Sequence, residues 1–191
     1  MGRPQIYTVE EERVPSVTDV LRIAGLTDFS RVPEDTLAEA RERGKDVHYW
    51  LELFDQDARL VPGDLEIQGY IEGWAKFKKT SGFDVKKVEE PVLNSTYRYG
   101  GTPDRIGRAA SKVVVAEIKC VAQVAPATRL QLMGYALCLP GQAERVAVQL
   151  KPNGTYRAHV YKNWQEDRAD FLSALRVAHF KLRHKLAGLG E

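Results

Sequence analysis

Val113-Val114-Val115-Ala116-Glu117-Ile118-Lys119 begins as a continuous apolar run and ends on two charges. An unbroken run of this kind reads as a strand buried on both faces, near the middle of a sheet. Upstream, Tyr97 to Gly107, which contains Gly101-Thr102-Pro103-Asp104, reads as a second strand, and Ala109-Ala110-Ser111 as the turn that joins the two into a hairpin. Side chains two apart on a strand share a face, so Glu117 and Lys119 are expected to project together while Ile118 points into the core. If the strands pair, Asp104 stands beside Glu117. Two carboxylates that close repel unless a cation neutralises them. With backbone carbonyls and water they suit Mg2+ or Mn2+, hard ions that prefer oxygen ligands. The Lys119 amine is then placed to hold or deprotonate a water and to stabilise charge on a phosphate. A solvated strand with a cross-strand ion pair is the plainer reading of a Glu-x-Lys triplet. The position of this one at the end of a buried strand favours a site, because charge is costly there without a role.

Outward from this hairpin the chain alternates between helical and strand patterns. Pro15-Ser16-Val17-Thr18-Asp19 precedes the apolar run Val20-Leu21-Arg22-Ile23, and Ser16 with Asp19 fits a capping box in which Asp replaces the usual Glu or Gln. Pro33-Glu34-Asp35 opens a long helix whose apolar positions, Leu37, Ala40, Val47, Leu51 and Phe54, recur at helical spacing across Gly44. Pro62-Gly63-Asp64 ends it, and a third helix runs through Ile71, Trp74 and Phe77 to Gly82. Val85 to Leu93 reads as the first strand, closed by the turn Asn94-Ser95. After the central hairpin, a helix is expected from about Pro126 to Leu139. Val146 to Leu150 and Tyr156 to Tyr161 flank the hairpin signal Asn153-Gly154. A last helix runs from Trp164 to about Leu186 and ends in a basic turn that suits the helix dipole. No linker or repeat divides this order. The expectation is one α/β domain over residues 1–191 with a mixed central β-sheet flanked by helices.

Composition sets the bounds. The chain has 191 residues, 43% of them hydrophobic and 28% charged with mixed signs, which suits a folded domain with a core and not a disordered chain. A net charge of +2 permits contact with a polyanion through a local basic groove but argues against a basic exterior that coats duplex DNA. Cys120 and Cys138 lack CxxC spacing and read as buried free thiols in a reducing, cytoplasmic setting. Met1-Gly2-Arg3-Pro4-Gln5 carries no apolar segment, so no signal peptide is expected, and no run is long and apolar enough for a membrane span.

Four motifs in register now point to a family. Pro103-Asp104 followed by Glu117-Ile118-Lys119 resembles the PD-(D/E)XK signature of a large nuclease superfamily. Arg43-Gly44-Lys45-Asp46-Val47-His48, running into Trp50-Leu51-Glu52, resembles the G-x-x-x-H helix of the RecB-like branch. Gln131-Leu132-Met133-Gly134-Tyr135 resembles the Q-x-x-x-Y helix that follows its core strands. Pro15-Ser16-Val17-Thr18 is similar to a P-S-V-T segment of the mitochondrial genome maintenance exonuclease and its relatives.

The resemblance implies a restriction-endonuclease-like core and a Mg2+- or Mn2+-dependent deoxyribonuclease using one or two ions. It implies His48, Asp104, Glu117 and the backbone carbonyl of Ile118 as metal ligands, with Lys119 as the catalytic lysine. Gln131 and Tyr135, one helical turn apart, would position a substrate phosphate or the lysine. Ser16 and Thr18 would either cap their helix or hold a phosphate at its N-terminus. Glu52 reads as a solvated charge within reach of the ion, and Glu89 and Glu90 as a structural ion pair at a strand end. His159, His179 and His184 are assigned no role. Some relatives carry four cysteines around an iron–sulfur cluster; with two, no cluster is expected here. Small free-standing relatives resemble phage or mobile-element enzymes that trim DNA ends for recombination or repair. That implies the host cytoplasm for a phage-encoded chain, and a homo-oligomer or a recombination protein as partner. An exonuclease preferring single strands or strand ends is the leading expectation, with Trp50, Tyr97 and Tyr99 available to stack on unpaired bases. A duplex-end exonuclease and an inactive nucleic-acid-binding nuclease fold are the alternatives.

Overall fold

A computed structural model describes residues 5–27, 33–57 and 62–190. The opening residues 1–4, part of the stretch read above for a leader segment, lie outside them. A short hairpin of β1 (Tyr7–Val9) and β2 (Glu12–Val14) leads into α1 (Val17–Ala24), followed by α2 (Glu34–Gln56) and α3 (Leu65–Ser81). Strands β3 (Asp84–Val88), β4 (Val92–Asn94), β5 (Tyr99–Gly101), β6 (Arg105–Ala109) and β7 (Lys112–Lys119) come next. The chain closes with α4 (Thr128–Ala136), β8 (Glu144–Leu150), β9 (Tyr156–Val160) and α5 (Trp164–Arg183).

The main sheet has five strands in the order β3-β6-β7-β8-β9, antiparallel throughout except for the parallel pair β7 and β8. That parallel step needs a crossover, and α4 supplies it. Alternate residues of β7 feed two separate cores. Val114, Ala116 and Ile118 pack with Val47, Leu51, Trp74 and Phe77 of α2 and α3, whereas Val115 packs with Val17, Leu132 and Phe171 of α1, α4 and α5. The protein is therefore a mixed α/β sheet covered by helices on both faces, as the strand and helix periodicities required. The central strand is buried on both sides, which accounts for its unbroken apolar run.

Two of the expected long strands are broken. The run Val85 to Leu93 divides into β3 and β4 around Glu89-Glu90-Pro91, where Glu89 has a positive φ of 46°. The run Tyr97 to Gly107 divides into β5 and β6 around Thr102-Pro103-Asp104. Both breaks contain a proline, which cannot donate to a sheet ladder. β4 and β5 pair with each other as a separate two-stranded sheet. The β1–β2 hairpin has no counterpart in the expectation: its two turn residues, Glu10 and Glu11, sit at φ of 51° and 67° without the Gly or Asn that normally marks such a turn. The helix expected over Pro126 to Leu139 is shorter at both ends, and α5 stops at Arg183, before Leu186. The capping box on α1 is present, with the Ser16 hydroxyl accepting from the Asp19 N–H and the Asp19 carboxylate accepting from the Ser16 N–H. Among the described residues no helix is long and apolar enough to cross a membrane.

Candidate active site

The β6–β7 register pairs Arg105 with Ala116, so the residue before β6 comes level with Glu117. That residue is Asp104. It lies in the bend that Pro103 imposes and not within a strand, which corrects the expectation from the sequence. Its side chain does what the missing ladder would have done: Oδ2 accepts the Ile118 N–H at 2.6 Å. Ile118 thus enters the site through its amide, and its side chain is buried in the α2–α3 core.

On the opposite face of β7, Glu117 and Lys119 point together, as the period of two demands. Lys119 Nζ donates to Glu117 Oε1 at 3.0 Å and to Gln131 Oε1 at 3.2 Å. Gln131 Nε2 donates to Glu117 Oε1 at 2.7 Å and to the Tyr135 hydroxyl at 3.1 Å. Gln131 and Tyr135 are one turn apart on α4, so the crossover helix brings both against the end of β7. Gly101 of β5 makes room for this arrangement, since a Cβ there would lie 2.5 Å from the Tyr135 ring.

Glu117 is the electrostatic centre. One oxygen is held by Lys119 and Gln131, while Oε2 is buried with no hydrogen-bond partner among the described residues. Burial, with the Asp104 charge added, pushes its pKa up to about 7 against the opposing pull of Lys119. Burial works against the Lys119 charge, but Glu117 and Asp104 outweigh it and raise its pKa, so the lysine is an ammonium. His48 of α2 faces Asp104 from the other layer, with Nδ1 at 3.6 Å from Asp104 Oδ1 and 3.8 Å from Glu89 Oε1. The Asp104 charge, with help from Glu89, pushes the imidazole pKa up to about 9 although burial opposes it. Burial and the Glu117 charge keep the Tyr135 phenol neutral.

These positions bring His48, Asp104, Glu117, Lys119, Gln131 and Tyr135 into one contiguous set. Ser16 is not free to join it: its hydroxyl is held in the capping box and the Asp19 carboxylate sits over the helix N-terminus, where it would repel a phosphate. Thr18 is exposed on the rim of a groove of about 490 Å3 that is also lined by Arg22, Lys119, Gln123, Thr128 and Gln131. Of the aromatics expected to stack on bases, Tyr99 is excluded. It is fully buried and its hydroxyl donates to the Gly134 carbonyl. Tyr97 and Trp50 are half-buried. Cys120 and Cys138 are half-buried free thiols, less buried than expected. Glu89, read from sequence as half of a plain strand-end ion pair, proves to face His48. No local pattern could have shown this, because the contact joins α2 to the end of β3.

Among the described residues no three His, Cys, Asp or Glu side chains close into a ready-made metal cage. The donors nonetheless fit a divalent ion. The buried Glu117 Oε2 has no partner among the described residues, and the repulsion between Asp104 and Glu117 is what a cation between them would relieve. Carboxylate oxygens with one imidazole are the donor set of Mg2+ or Mn2+ more than of a thiophilic metal.

No family model matches the sequence, and no curated protein matches it significantly. Among solved structures the chain is similar to an alkaline exonuclease, LHK-Exo, from Laribacter hongkongensis. The identity is 15%, over 88% of this chain and 93% of that one, with a TM-score of 0.39. The structure of LHK-Exo in complex with dAMP gives 15% identity over 91% and 95% of the two chains, with a TM-score of 0.43.

Proposed function

We propose that this protein is a divalent-metal-dependent deoxyribonuclease that hydrolyses phosphodiester bonds as an exonuclease, acting on single strands or strand ends. The observation that carries the reading is the Asp104–Glu117 pair: two mutually repelling carboxylates, one with a buried oxygen left unpartnered, beside a lysine fixed by Glu117 and Gln131. Asp104, Glu117 and His48 would hold the ion, with the Ile118 carbonyl as the resemblance implies. When bound, the ion supplies Lewis-acid activation of the attacking water and charge neutralisation at the phosphate.

The chain's own residues do the rest. Lys119 is cationic and constrained at two contacts, so it serves as a preorganised positive charge for the phosphate oxygens. Gln131 locks the lysine and Glu117 in one geometry, and Tyr135 locks Gln131. The groove beside Lys119 leads away past Thr18 and Arg22, and its wall includes Leu21, Val121, Ala125 and Ala127. An apolar wall with few cations suits the bases and sugars of an unpaired strand better than the paired phosphate rails of a duplex. An inactive binding module is disfavoured by the same pair, because acidic side chains repel a polyanion unless a metal sits between them.

Incubation with 5′- and 3′-labelled single- and double-stranded DNA, in Mg2+, Mn2+ or EDTA, tests the proposal. Stepwise shortening of the single strand with either metal and none in EDTA is expected. Lys119→Ala is expected to lower kcat by about 10²–10⁴-fold while leaving Mn2+ binding close to the parent. Absence of cleavage in every condition would remove the enzyme, and faster cleavage of blunt duplex would reassign the substrate to duplex ends.

A further inference from the structure

Arg105 directly follows Asp104, yet its side chain turns the other way. Sharing the face of its register partner Ala116, it enters the α2–α3 core and is fully buried. Its Nε donates to Asp55 Oδ2 at 2.7 Å, and the Asp55 side chain is only 2% exposed. Asp55 Oδ1 receives two further donors, Trp74 Nε1 at 3.0 Å and Lys78 Nζ at 2.6 Å. Arg105 Nη1 reaches back to the Asp104 carbonyl at 2.7 Å, and the same carbonyl accepts the Glu89 N–H at 3.1 Å. Nη2 is buried without a partner among the described residues.

Stability alone does not explain this arrangement. Lys78 and Trp74 already satisfy one oxygen of Asp55, and Lys78 supplies the neutralising charge. A buried ion pair with an orphaned donor is commonly no more stable than apolar residues of the same volume. What no other side chain among the described residues does is hold the Asp104 backbone. Pro103 has no N–H and Asp104 lies outside β6, so past the end of the strand the Glu89 N–H and the Arg105 guanidinium share the work of holding the Asp104 carbonyl. The planar guanidinium spans Asp55 and the Asp104 carbonyl at once, which a single-point ammonium cannot do.

We propose that Arg105, clamped by Asp55, is a positioning residue that locks the Asp104 backbone so that its carboxylate faces Glu117 at the separation needed to share one divalent ion. This rests on the metal-dependent reading of the site. The test is Mn2+ titration by calorimetry without DNA, on Arg105→Lys and on the paired apolar replacement Asp55→Leu with Arg105→Met, alongside melting in EDTA. Both variants are expected to melt within a few degrees of the parent and to bind Mn2+ at least about tenfold more weakly. Cleavage is expected to recover as Mn2+ is raised to saturation, a rescue that a general loss of structure would not give. A folded variant that binds Mn2+ within about twofold of the parent would overturn the proposal while leaving the nuclease reading intact. A parent that binds no Mn2+ would remove the metal reading and this proposal with it.

Discussion

Glu117 has one oxygen held by Lys119 and Gln131 and one buried without a donor, and across the sheet edge His48 sits against Asp104. The two titrating groups give the metal-free protein a definite pH dependence. The folded pKa of Glu117, about 7, lies above its ordinary 4.5, so the fold favours the protonated acid and loses stability as pH rises from 4.5 through about 7. His48 contributes stability that is fully present below its ordinary 6.5 and is lost as pH rises through about 9. Both effects run in one direction. Melting temperature in EDTA is expected to fall steadily between pH 5 and 9. Added Mn2+ is expected to reverse that trend, since both groups must shed protons to bind it. A flat EDTA profile in scanning fluorimetry would contradict this. At this scale the shared face of Glu117 and Lys119 was legible because a period of two is a local rule, whereas Asp104 was reached through the hairpin pairing and wrongly placed within a strand. Arg105 and Asp55 were not legible, since a contact across 50 residues leaves no local trace.

The elements were legible where hydrophobic period and breakers agreed. The unbroken Val113–Ala116 run marked the central strand, and the helices α2 and α3 stand close to where Pro33, Pro62 and Gly82 placed them. The two broken strands share a cause. Pro91 and Pro103 were read as lying within strands, whereas each ends one, and the second break is what frees Asp104 to cap Ile118 with its side chain. The β1–β2 hairpin was invisible because Glu10 and Glu11 adopt left-handed backbone without a glycine or asparagine. Its Tyr7 hydroxyl bonds Thr102 Oγ1 at 2.6 Å, so this hairpin braces the segment leading to Asp104. β5 carries a sharper constraint. Gly101→Ala would force the Tyr135 ring away and with it Gln131, the group that holds Lys119 and Glu117. We expect a loss of about 1–3 kcal/mol in urea unfolding, together with a fall in kcat. Parent-like turnover in a folded G101A protein would show that the Gln131–Tyr135 pair does not position the lysine.

For the whole molecule, one sheet with helices on both faces makes the site a meeting of two layers. His48 and Glu89 reach Asp104 from the α2–α3 side, and Glu117, Lys119, Gln131 and Tyr135 come from the α1–α4–α5 side. β7, buried by both, holds the two groups in register at its C-terminal end. On the proposed reading, a net charge of +2 leaves recognition of a polyanion to a local groove, and the groove beside Lys119 carries Arg22 on its rim. The proposed nuclease reading turns on a divalent ion shared by Asp104 and Glu117. Diffraction from Mn2+-soaked crystals, recorded to resolve the anomalous signal of manganese, locates such an ion directly. A peak in contact with both carboxylates is expected; a Mn2+ bound elsewhere, with the space between Asp104 and Glu117 empty, would contradict it.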